Sequence, residues 1–433
     1  MTDIEATITN LSHDGRGVAR IDNKATFVAG ALLGERVVLS YVKRHRKYDE
    51  ADVVRVLEAS PDRVEPKCRH FDVCSGCSLQ HMKPEAQIAA KQQVLGDNFE
   101  RIGKVMPGSW LPPLSDNPWN YRRRGRFSVR YVPKKQRALV GFREESDSRL
   151  VADIQQCEVI HPALGPKVGL LSELVTSLDA AQTIPQIEFA SGDDTVALVF
   201  RHMAPLSSRD RDALVAFGKA HGFAIYLQPG THASAQPLWP EAPRLAFALP
   251  ADNVELEFLP LDFVQVNAGM NQRMLARTME LLDLQPTDRV LDLFCGLGNF
   301  TLPMARHAAE VVGVEGEHGL VERAAGNASR NGLANASFRV ANLFDNQRNE
   351  KWATQPWDKI VLDPPRVGAD KVLEYLPRKQ TNRLVYVSCH PGSLARDAGI
   401  LVQKHGFELV SAGVMDMFPH TAHVESIALF ERR

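Results

Sequence analysis

From residue 263 onwards, short apolar runs alternate with helical stretches, and this alternation constrains the fold more than any other feature of the sequence. The runs have the length and the β-branched content of buried strands. The predicted strands are 289–293, 311–315, 337–340, 359–362 and 383–387, and the predicted helices are 267–283, one from about 300, 317–331 and 368–376. Such alternation is typical of a parallel sheet with helices on both faces, an α/β fold.

The 433-residue chain is too long for one ordinary domain, and two other segments precede this one. Residues 1–58 hold five short runs that alternate apolar and polar positions, separated by glycines. This pattern predicts a small antiparallel barrel of the OB kind, a fold that often binds nucleic acid. Residues 59–262 mix strands with a few helices, one at about 84–104, and are predicted to form a central α+β domain.

The composition is that of a soluble globular protein, with 44% apolar and 24% charged residues. The N-terminus lacks the apolar segment of a secretory signal, and no run is long enough to span a membrane. Six cysteines in a chain of this length do not indicate a disulfide scaffold. We therefore expect a cytoplasmic protein without a membrane partner, acting as a monomer.

The charge is distributed unevenly along the chain. Residues 1–150 hold 26 Lys and Arg against 19 Asp and Glu, whereas the rest holds 25 against 33. The stretch 121–137 alone has eight basic residues and three aromatic ones. Cations neutralise phosphates and exposed rings stack on unpaired bases, so this basic stripe, Arg122–Arg137, predicts an RNA-binding surface. A solvated charged face is the plainer alternative.

A glycine loop follows the first predicted strand of the C-terminal segment. Gly296 and Gly298 allow the backbone to approach a ligand at the carboxyl edge of the sheet, where open α/β sheets bind nucleotides. Glu315, about 20 residues on, suits ribose hydroxyls. The third glycine of the dinucleotide fingerprint is missing, since Thr301 stands there. A turn with a surface glutamate is the alternative interpretation.

The residues at the end of the fourth predicted strand indicate which of two cofactors is bound, a methyl donor or a nicotinamide. Asp363-Pro364-Pro365-Arg366 lies at this edge and resembles the signature of class I methyltransferases, which have a Rossmann-like sheet. The resemblance implies S-adenosylmethionine as the cofactor. It also implies which residues line the cofactor pocket: Gln265, Phe294, Asn299, Glu315, Asn342 and Asp363.

Cys389 follows the fifth strand and faces the same edge, and Glu425 stands at the head of the last strand. A lone cysteine after a strand is usually a buried, inert side chain, and Cys295 is interpreted in that way. Around Cys389 the motifs are more specific. Ser388-Cys389-His390-Pro391, Asp416-Met417-Phe418-Pro419-His420-Thr421 and Glu425 together resemble the RNA uracil-C5 methyltransferase family over residues 263–433. One departure is His390, where the family usually has Asn.

The resemblance implies covalent catalysis. C5 of uracil is a poor nucleophile, so a thiolate first adds to C6 and pushes electron density onto C5, which then takes the methyl group. A general base must afterwards remove the C5 proton so that the thiolate can leave. On this analogy Cys389 is the nucleophile and Glu425 is the base.

A second group of cysteines lies outside the sheet. Cys68, Cys74 and Cys77 fall within ten residues, and Cys157 comes 80 residues later. Four thiolates suit zinc or an iron–sulfur cluster, and spacing does not choose between them. Free structural cysteines are a further alternative. Ribosomal members of the resembled family carry a [4Fe-4S] cluster on this pattern and an N-terminal TRAM barrel, which the tRNA-modifying members lack. The resemblance therefore implies a [4Fe-4S] cluster and 23S rRNA as the substrate.

Four other functions are weighed against this one. A tRNA uracil-C5 methyltransferase shares the catalytic part alone. An RNA cytosine-C5 methyltransferase is expected to carry a Pro-Cys pair after the fourth strand, where this chain has Asp363-Pro364-Pro365. A pure RNA-binding module needs neither the sheet nor Cys389. An NAD oxidoreductase gives no reason for the Asp-Pro-Pro signature.

Overall fold

The computed structural model describes residues 4–377 and 380–432, which form three large sheets and a small hairpin. The N-terminal sheet has the strand order β1-β5-β6-β4-β3-β2. Its strands are β1 (Ile4–Thr7), β2 (Asn10–Leu11), β3 (Gly17–Ile21), β4 (Lys24–Ala29), β5 (Arg36–Arg44) and β6 (Tyr48–Glu58). The Thr9 N–H donates to the Val18 carbonyl (2.9 Å), so the end of β1 meets β3 and the sheet curls around one small core.

Five strands were predicted here and six are present, because the two-residue β2 is too short to show a pattern. The basic segment 43–47 has no apolar residues, which predicts a loop between the last two strands of this barrel, yet β5 continues through Lys43 and Arg44. Both differences lie at strand ends, where alternation gives little information.

A helical segment connects this sheet to the rest of the chain. The helix α1 (Pro84–Asn98) continues into a π-helical turn, Phe99–Gly103, as predicted for 84–104. Leu95 and Phe99 are fully buried in a core that they share with the C-terminal sheet. The short strand β7 (Ser109–Trp110) then joins the edge of that sheet.

The central sheet has the order β13-β12-β11-β10-β8-β9. Its strands are β8 (Arg124–Val132), β9 (Arg137–Gly141), β10 (Gln186–Ser191), β11 (Val196–Arg201), β12 (Phe223–Gln228) and β13 (Gln236–Trp239). The helices α2 (Val168–Ser177) and α3 (Ser208–His221) share a core with one face of the sheet. The hairpin β14 (Ala246–Leu249) and β15 (Val254–Glu257) follows. Short 3-10 turns lie at Pro133–Lys135, Gly165–Lys167, His232–Ser234 and Pro250–Asp252.

The C-terminal sheet has eight strands in the order β18-β17-β16-β19-β20-β22-β21-β7. The remaining strands are β16 (Arg289–Leu293), β17 (Glu310–Glu315), β18 (Ala336–Val340), β19 (Lys359–Leu362), β20 (Arg383–Ser388), β21 (Glu408–Met415) and β22 (Glu425–Glu431). The strands from β18 to β20 are parallel, and β22 runs antiparallel to both of its neighbours. The predicted parallel sheet is confirmed.

Helices cover both faces of this sheet. They are α4 (Ala268–Leu282), α5 (Thr301–Ala305), α6 (His318–Arg330), α7 (Lys351–Thr354), α8 (Asp370–Leu373) and α9 (Pro391–His405). One core includes side chains of α4, α5 and α6, and the other includes those of α1, α8 and α9. The strand order reverses between β16 and β19, which opens a crevice at their carboxyl ends, the usual ligand site of such sheets.

The proposed division into residues 1–58, 59–262 and 263–433 stays a prediction. The strand β7 belongs to the middle segment by sequence but pairs with β21 of the C-terminal sheet. Among the helices of the described residues, none is long and apolar enough to cross a membrane.

Candidate active site

The loop after β16 turns sharply at the carboxyl edge of the sheet. Phe294, Gly296 and Gly298 all have positive φ, at 68°, 53° and 90°. A Cβ on Gly296 would meet nothing within 4 Å, so it is the backbone conformation that favours glycine there. The Gly296 N–H donates to Glu315 Oε2 (3.2 Å) across the ends of β16 and β17. This geometry leaves backbone exposed at the crevice for a ligand.

Two aromatic rings stand beside this loop. The rings of Phe294 and Phe344 are 5.8 Å apart, and Phe344 is 40% exposed. Asn342, at the end of β18, accepts a hydrogen bond from the Phe344 N–H (3.2 Å) and so orders the turn. The sequence prediction missed Phe344, which a search for apolar residues just after β18 would have found. A pair of rings with an exposed face suits a flat heteroaromatic group such as adenine.

The other predicted cofactor residues reach the loop through α4. Asn299 exchanges two hydrogen bonds of 2.9 Å with Asn271 of that helix. Gln265 lies two residues before Asn267, whose side chain caps α4 by accepting from the Met270 N–H (3.2 Å). Among the described residues, these hydrogen bonds hold Asn299 against α4. The Gln265 side chain makes no hydrogen bond with the described residues, so only its place before α4 relates it to the predicted pocket.

Buried carboxyl groups lie below the crevice. Asp292 is fully buried and accepts a hydrogen bond from Thr301 Oγ1 (2.5 Å), while its Oδ1 has no partner among the described residues. Burial raises the pKa of Asp292 to about 7, and burial together with Asp292 raises the pKa of Asp363 to about 7. A cation at this edge would favour the ionised forms of both groups.

The ends of β20 and β22 bring the predicted nucleophile close to the predicted base. Ser388, the last residue of β20, pairs with Ser426 of β22 in antiparallel register. Cys389 lies in a bend directly after Ser388, and Glu425 is the first residue of β22, directly before Ser426. Since both residues adjoin the same pair, the thiol and the carboxyl group lie at one corner of the sheet edge, where the Glu425 carboxyl contributes to raising the pKa of the Cys389 thiol.

Burial weakens the ionisation of both groups. It raises the pKa of the Cys389 thiol to about 12, with Glu425 and Asp363 adding to the effect and Arg366 opposing it. Burial likewise raises the pKa of Glu425 to about 8, with Asp363 adding to the effect and Lys91 opposing it. A carboxyl group tuned to this range is suited to act as a base near neutral pH.

His390, the departure from the family pattern, has a visible structural role. It is the N-cap of α9, and its Nδ1 accepts a hydrogen bond from the Ser393 N–H (3.1 Å). Asparagine is among the best N-capping residues, because its side-chain oxygen accepts the same kind of bond. His390 therefore supplies the N-cap that Asn would supply at this position, directly after Cys389.

A buried ion pair anchors the turn that leads to Glu425. Lys91 Nζ of α1 lies 2.6 Å from Asp416 Oδ1 and donates to the Phe418 carbonyl (3.0 Å). Both side chains are almost fully buried. Met415, next to Asp416, pairs with Glu425 across β21 and β22. Lys91 therefore holds the turn at two points, the Asp416 carboxylate and the Phe418 carbonyl.

Replacing Lys91 with methionine should lower the free energy of unfolding by about 3–5 kcal/mol, because Asp416 would be left as an unpaired buried charge. Urea unfolding followed by circular dichroism would measure the change. Gln93→Met, on the exposed face of the same helix, is the matched control and should stay within about 0.5 kcal/mol. An equally small effect of Lys91→Met would show that the pair contributes nothing to stability.

The four clustered cysteines surround one cavity of about 240 Å³. All are free thiols, and burial raises the pKa of both Cys74 and Cys77 to about 12. Phe418, Thr421 and His423 of the turn before Glu425 form part of the wall. Within the described residues no three Cys, His, Asp or Glu side chains are arranged to hold a metal ion.

The structure buries part of the stripe Arg122–Arg137, which was predicted to be an RNA-binding surface. Arg123 is only 6% exposed, Arg122 Nε donates to the Arg124 carbonyl, and Arg124 donates to the Leu261 carbonyl. The ring of Phe127 is fully buried, because the alternation of β8 turns every second side chain into the core. The exposed cations of the stretch are Arg126, Arg130, Lys134 and Lys135.

Two sequence families match parts of the chain. Residues 251–433 match the tRNA (Uracil-5-)-methyltransferase family, and residues 2–54 match the TRAM domain. A protein of Xanthomonas oryzae pv. oryzae (strain MAFF 311018), described as 23S rRNA (uracil(1939)-C(5))-methyltransferase RlmD, is 60% identical over 100% of this chain and 98% of its own length. A protein of the same description from Stenotrophomonas maltophilia (strain K279a) is 58% identical with the same coverage.

One solved structure resembles the whole fold. The tRNA (uracil-54, C5)-methyltransferase of Pyrococcus abyssi, in complex with S-adenosyl-L-homocysteine, superposes with a TM-score of 0.77 over 98% of this chain and 99% of its own. At 22% sequence identity this likeness concerns the fold alone, but it shows that the expectation of a tRNA uracil-C5 methyltransferase sharing only the catalytic part was wrong, since this one matches the whole chain.

Proposed function

The chain belongs to the RNA uracil-C5 methyltransferase family, among the 23S rRNA (uracil(1939)-C(5))-methyltransferases, and we propose that it transfers a methyl group from S-adenosylmethionine to C5 of that uracil. The observation that supports this reaction most is the meeting of the Cys389 thiol and the Glu425 carboxyl group at the paired ends of β20 and β22, at the ligand edge of the sheet.

The crevice suits the methyl donor. Phe294 and Phe344 would hold its adenine ring, and Glu315 would accept hydrogen bonds from the ribose hydroxyls. The carboxyl groups of Asp292 and Asp363 would balance the positive charge of the sulfonium. Asn299, Asn342 and Gln265 would complete the pocket. When bound, S-adenosylmethionine supplies an electrophilic methyl group.

Cys389 would begin the reaction as a thiolate. Its sulfur bonds to C6 of the uracil, and the electron pair of the C5–C6 double bond moves onto C5 and O4. C5 then bonds to the methyl carbon while the carbon–sulfur bond of the sulfonium breaks, leaving S-adenosylhomocysteine. The charges of Arg366 and of the sulfonium favour the thiolate, whose pKa is otherwise raised by burial.

Glu425 would complete the reaction as the base. Its carboxylate takes the proton from C5, the electron pair of that bond restores the C5–C6 double bond, and the thiolate leaves C6. The product is 5-methyluridine, the enzyme regains its thiolate, and the proton now on Glu425 is released to solvent. Lys91 and Asp416 act as positioning residues, because they hold the turn on which Glu425 depends.

The target uracil must leave its base stack to reach Cys389, which costs a few kcal/mol for a loop base. A large cavity of about 820 Å³ lies between the N-terminal sheet, α1 and the turn at Ala422 and Val424. Val424, the residue before Glu425, forms part of its wall, so we infer that RNA flanking the target passes through it. The TRAM sheet would thereby contribute to RNA affinity.

The substrate is tested by methylation of isolated RNAs with radiolabelled S-adenosylmethionine. The purified protein should methylate a protein-free 23S rRNA fragment that contains uracil 1939 and should ignore a tRNA transcript. The same fragment with cytosine at the target is the control and should take up no label. Efficient methylation of the tRNA T-loop uracil, with none on the rRNA fragment, would contradict the assignment.

We also propose that Cys68, Cys74, Cys77 and Cys157 hold a [4Fe-4S] cluster. The support is an all-sulfur donor set around one cavity with an aromatic wall. Because the turn before Glu425 forms part of that wall, the cluster would stabilise the turn rather than take part in methyl transfer.

Protein purified without oxygen should be brown and contain about four irons per chain, the content of a four-cysteine cubane. Iron analysis and the visible absorption spectrum would measure this. Cys74→Ser should lose most of the iron, while Cys295→Ser, outside the cavity, should keep it. Colourless protein with one zinc ion would refute the cluster and leave the methyltransferase assignment intact.

A further inference from the structure

A second polar cavity, of about 330 Å³, lies apart from the cofactor crevice. It is lined by the loop 116–123, the end of β10 and the first turn of α4. The roles assigned above to the catalytic, cofactor and cysteine residues leave this cavity unexplained. Four of its side chains are nine-tenths buried or more: Tyr121, Arg123, Ser191 and Asn267.

The guanidinium of Arg123 lacks an acceptor. It lies over the ring of Phe247 at 4.9 Å, and no side chain or carbonyl of the described residues accepts a hydrogen bond from it. Its nearest acidic neighbour, Asp193, forms no ion pair with it within 4.0 Å. Arg123 lines the cavity, and its nitrogens are accessible to solvent there. A ligand in the cavity could place an acceptor atom where it receives hydrogen bonds from Arg123.

Two further polar atoms of the cavity have no partner. Ser191 Oγ and Asn267 Nδ2 are buried and make no hydrogen bond within the described residues. The backbone fixes both, because the Ser191 N–H donates to the Arg123 carbonyl (2.7 Å) and the Asn267 side-chain oxygen caps α4. Each unsatisfied group costs about 1–3 kcal/mol, which a bound ligand with matching acceptors would recover.

The charge of the cavity disfavours an anion. Asp116 Oδ2 sits so close to α4 that a Cβ at Gly269 would lie 1.6 Å from it, and a carboxylate thus already faces the helix N-terminus. Asp193 adds a second carboxylate, and burial lowers the pKa of His161. Asp116 also pairs with Arg273 (3.4 Å), so two arginines stand against two acids and the charges balance. This mixture suits a neutral group with acceptors on one edge and donors on another.

We propose that this cavity is a second base-binding site, which takes a guanine extruded from the RNA that is methylated. O6 and N7 of guanine would accept from Arg123, the commonest specific contact to this base, with Ser191 and Asn267 beside it. The N1–H and the 2-amino group would donate to Asp193 or Asp116. Adenine carries a donor where O6 stands and would oppose the arginine.

The cavity is connected to the catalytic turn. Trp119, on its rim, stacks on His420 with ring centres 4.0 Å apart, and Tyr121 Oη donates to the Pro419 carbonyl (3.2 Å). Both partners belong to the turn that leads to Glu425. One RNA loop can thus engage both sites. The inference deepens the proposed function and rests on it for the identity of the RNA.

The test combines base analogues with protein variants. In the 23S rRNA fragment that contains uracil 1939, each guanine is replaced in turn by 7-deazaguanine, which lacks N7, or by inosine, which lacks the 2-amino group. At one guanine these changes should weaken binding to the wild type by about threefold to tenfold, the effect of one lost hydrogen bond. Ser191→Ala should weaken binding of the unmodified RNA by a similar factor.

Both changes weaken the contacts to the same guanine, so the two losses should be coupled, and the loss for the combination should be smaller than their sum. Asn267→Asp keeps the helix cap but exchanges a donor for a charge, and should also abolish the response to 7-deazaguanine. Thr26→Val, which removes a buried hydroxyl without a partner in the N-terminal sheet, is the matched control and should leave the response intact.

The inference is overturned if Ser191→Ala binds the RNA like the wild type, if no guanine shows coupling, or if the coupled base is adenine or a pyrimidine. Ser191→Ala removes no hydrogen bond of the folded chain, so its melting temperature should not fall, and a lower value would point to misfolding. A failure of the proposed function would be seen in a different measurement: the wild-type protein would transfer no methyl group even when the RNA is saturating.

Discussion

Cys389→Ala is expected to lower methyl transfer on the order of 10⁶-fold, the loss seen when a covalent nucleophile is removed. Without the thiolate, no bond forms at C6 and C5 keeps too little electron density to attack the methyl group. Single-turnover methylation of the 23S rRNA fragment measures the rate. The affinity for S-adenosylmethionine should be almost unchanged, because the thiol lies beside the crevice rather than in its wall.

Cys295→Ala provides the matched control. Cys295 is 3% exposed, and its sulfur packs so closely on Gly313 that a Cβ on that glycine would lie 2.8 Å from it. It contacts no reacting atom, so this variant should keep most of its activity. Loss of activity in Cys295→Ala together with normal activity in Cys389→Ala would reverse the assignment of the nucleophile.

Glu425→Gln is expected to stop the reaction after methyl transfer. Addition to C6 and attack by C5 do not require this carboxylate, but removal of the C5 proton does. A methylated covalent complex of RNA and protein should therefore accumulate and appear as a shifted band on a denaturing gel. Normal turnover would show that another group removes the proton, with His390 and His423 as the next candidates.

The same assignment predicts a pH dependence. Glu425 works as the carboxylate, and its pKa of about 8 leaves it mostly protonated at pH 7. The ionised fraction, and with it the decay of the methylated covalent complex, should rise roughly tenfold from pH 7 to pH 9. A decay rate that is flat across this range, in otherwise intact protein, would exclude Glu425 as the base.

The α/β sheet and the catalytic pair were accessible from the sequence because both depend on local patterns. Buried parallel strands are continuous apolar runs, and catalytic side chains follow their carboxyl ends. Cys389 and Glu425 occupy such positions. Their mutual placement was not accessible, since it depends on β22 inserting between β20 and β21, a pairing that no short-range signal specifies.

The interpretation of charge was the least reliable part. The sequence predicted that Arg123 and Phe127 belong to a basic, aromatic RNA-binding surface, yet both side chains are buried. Composition counts residues but does not reveal which face of a strand they occupy. The roles of Lys91 and Phe344 were missed for a related reason. A lysine that pairs with Asp416, more than 300 residues away, leaves no trace in the local sequence.

The central claim is that Cys389 adds to C6 of the target uracil, and a stalled covalent complex tests it most directly. RNA with 5-fluorouridine at the target should form a stable adduct with the wild-type protein in the presence of S-adenosylmethionine, because fluorine at C5 cannot leave as a proton. Proteolysis and tandem mass spectrometry should locate the methylated nucleotide on the peptide that contains Cys389. An adduct on Cys295, or none with RNA that the protein otherwise methylates, would contradict the mechanism.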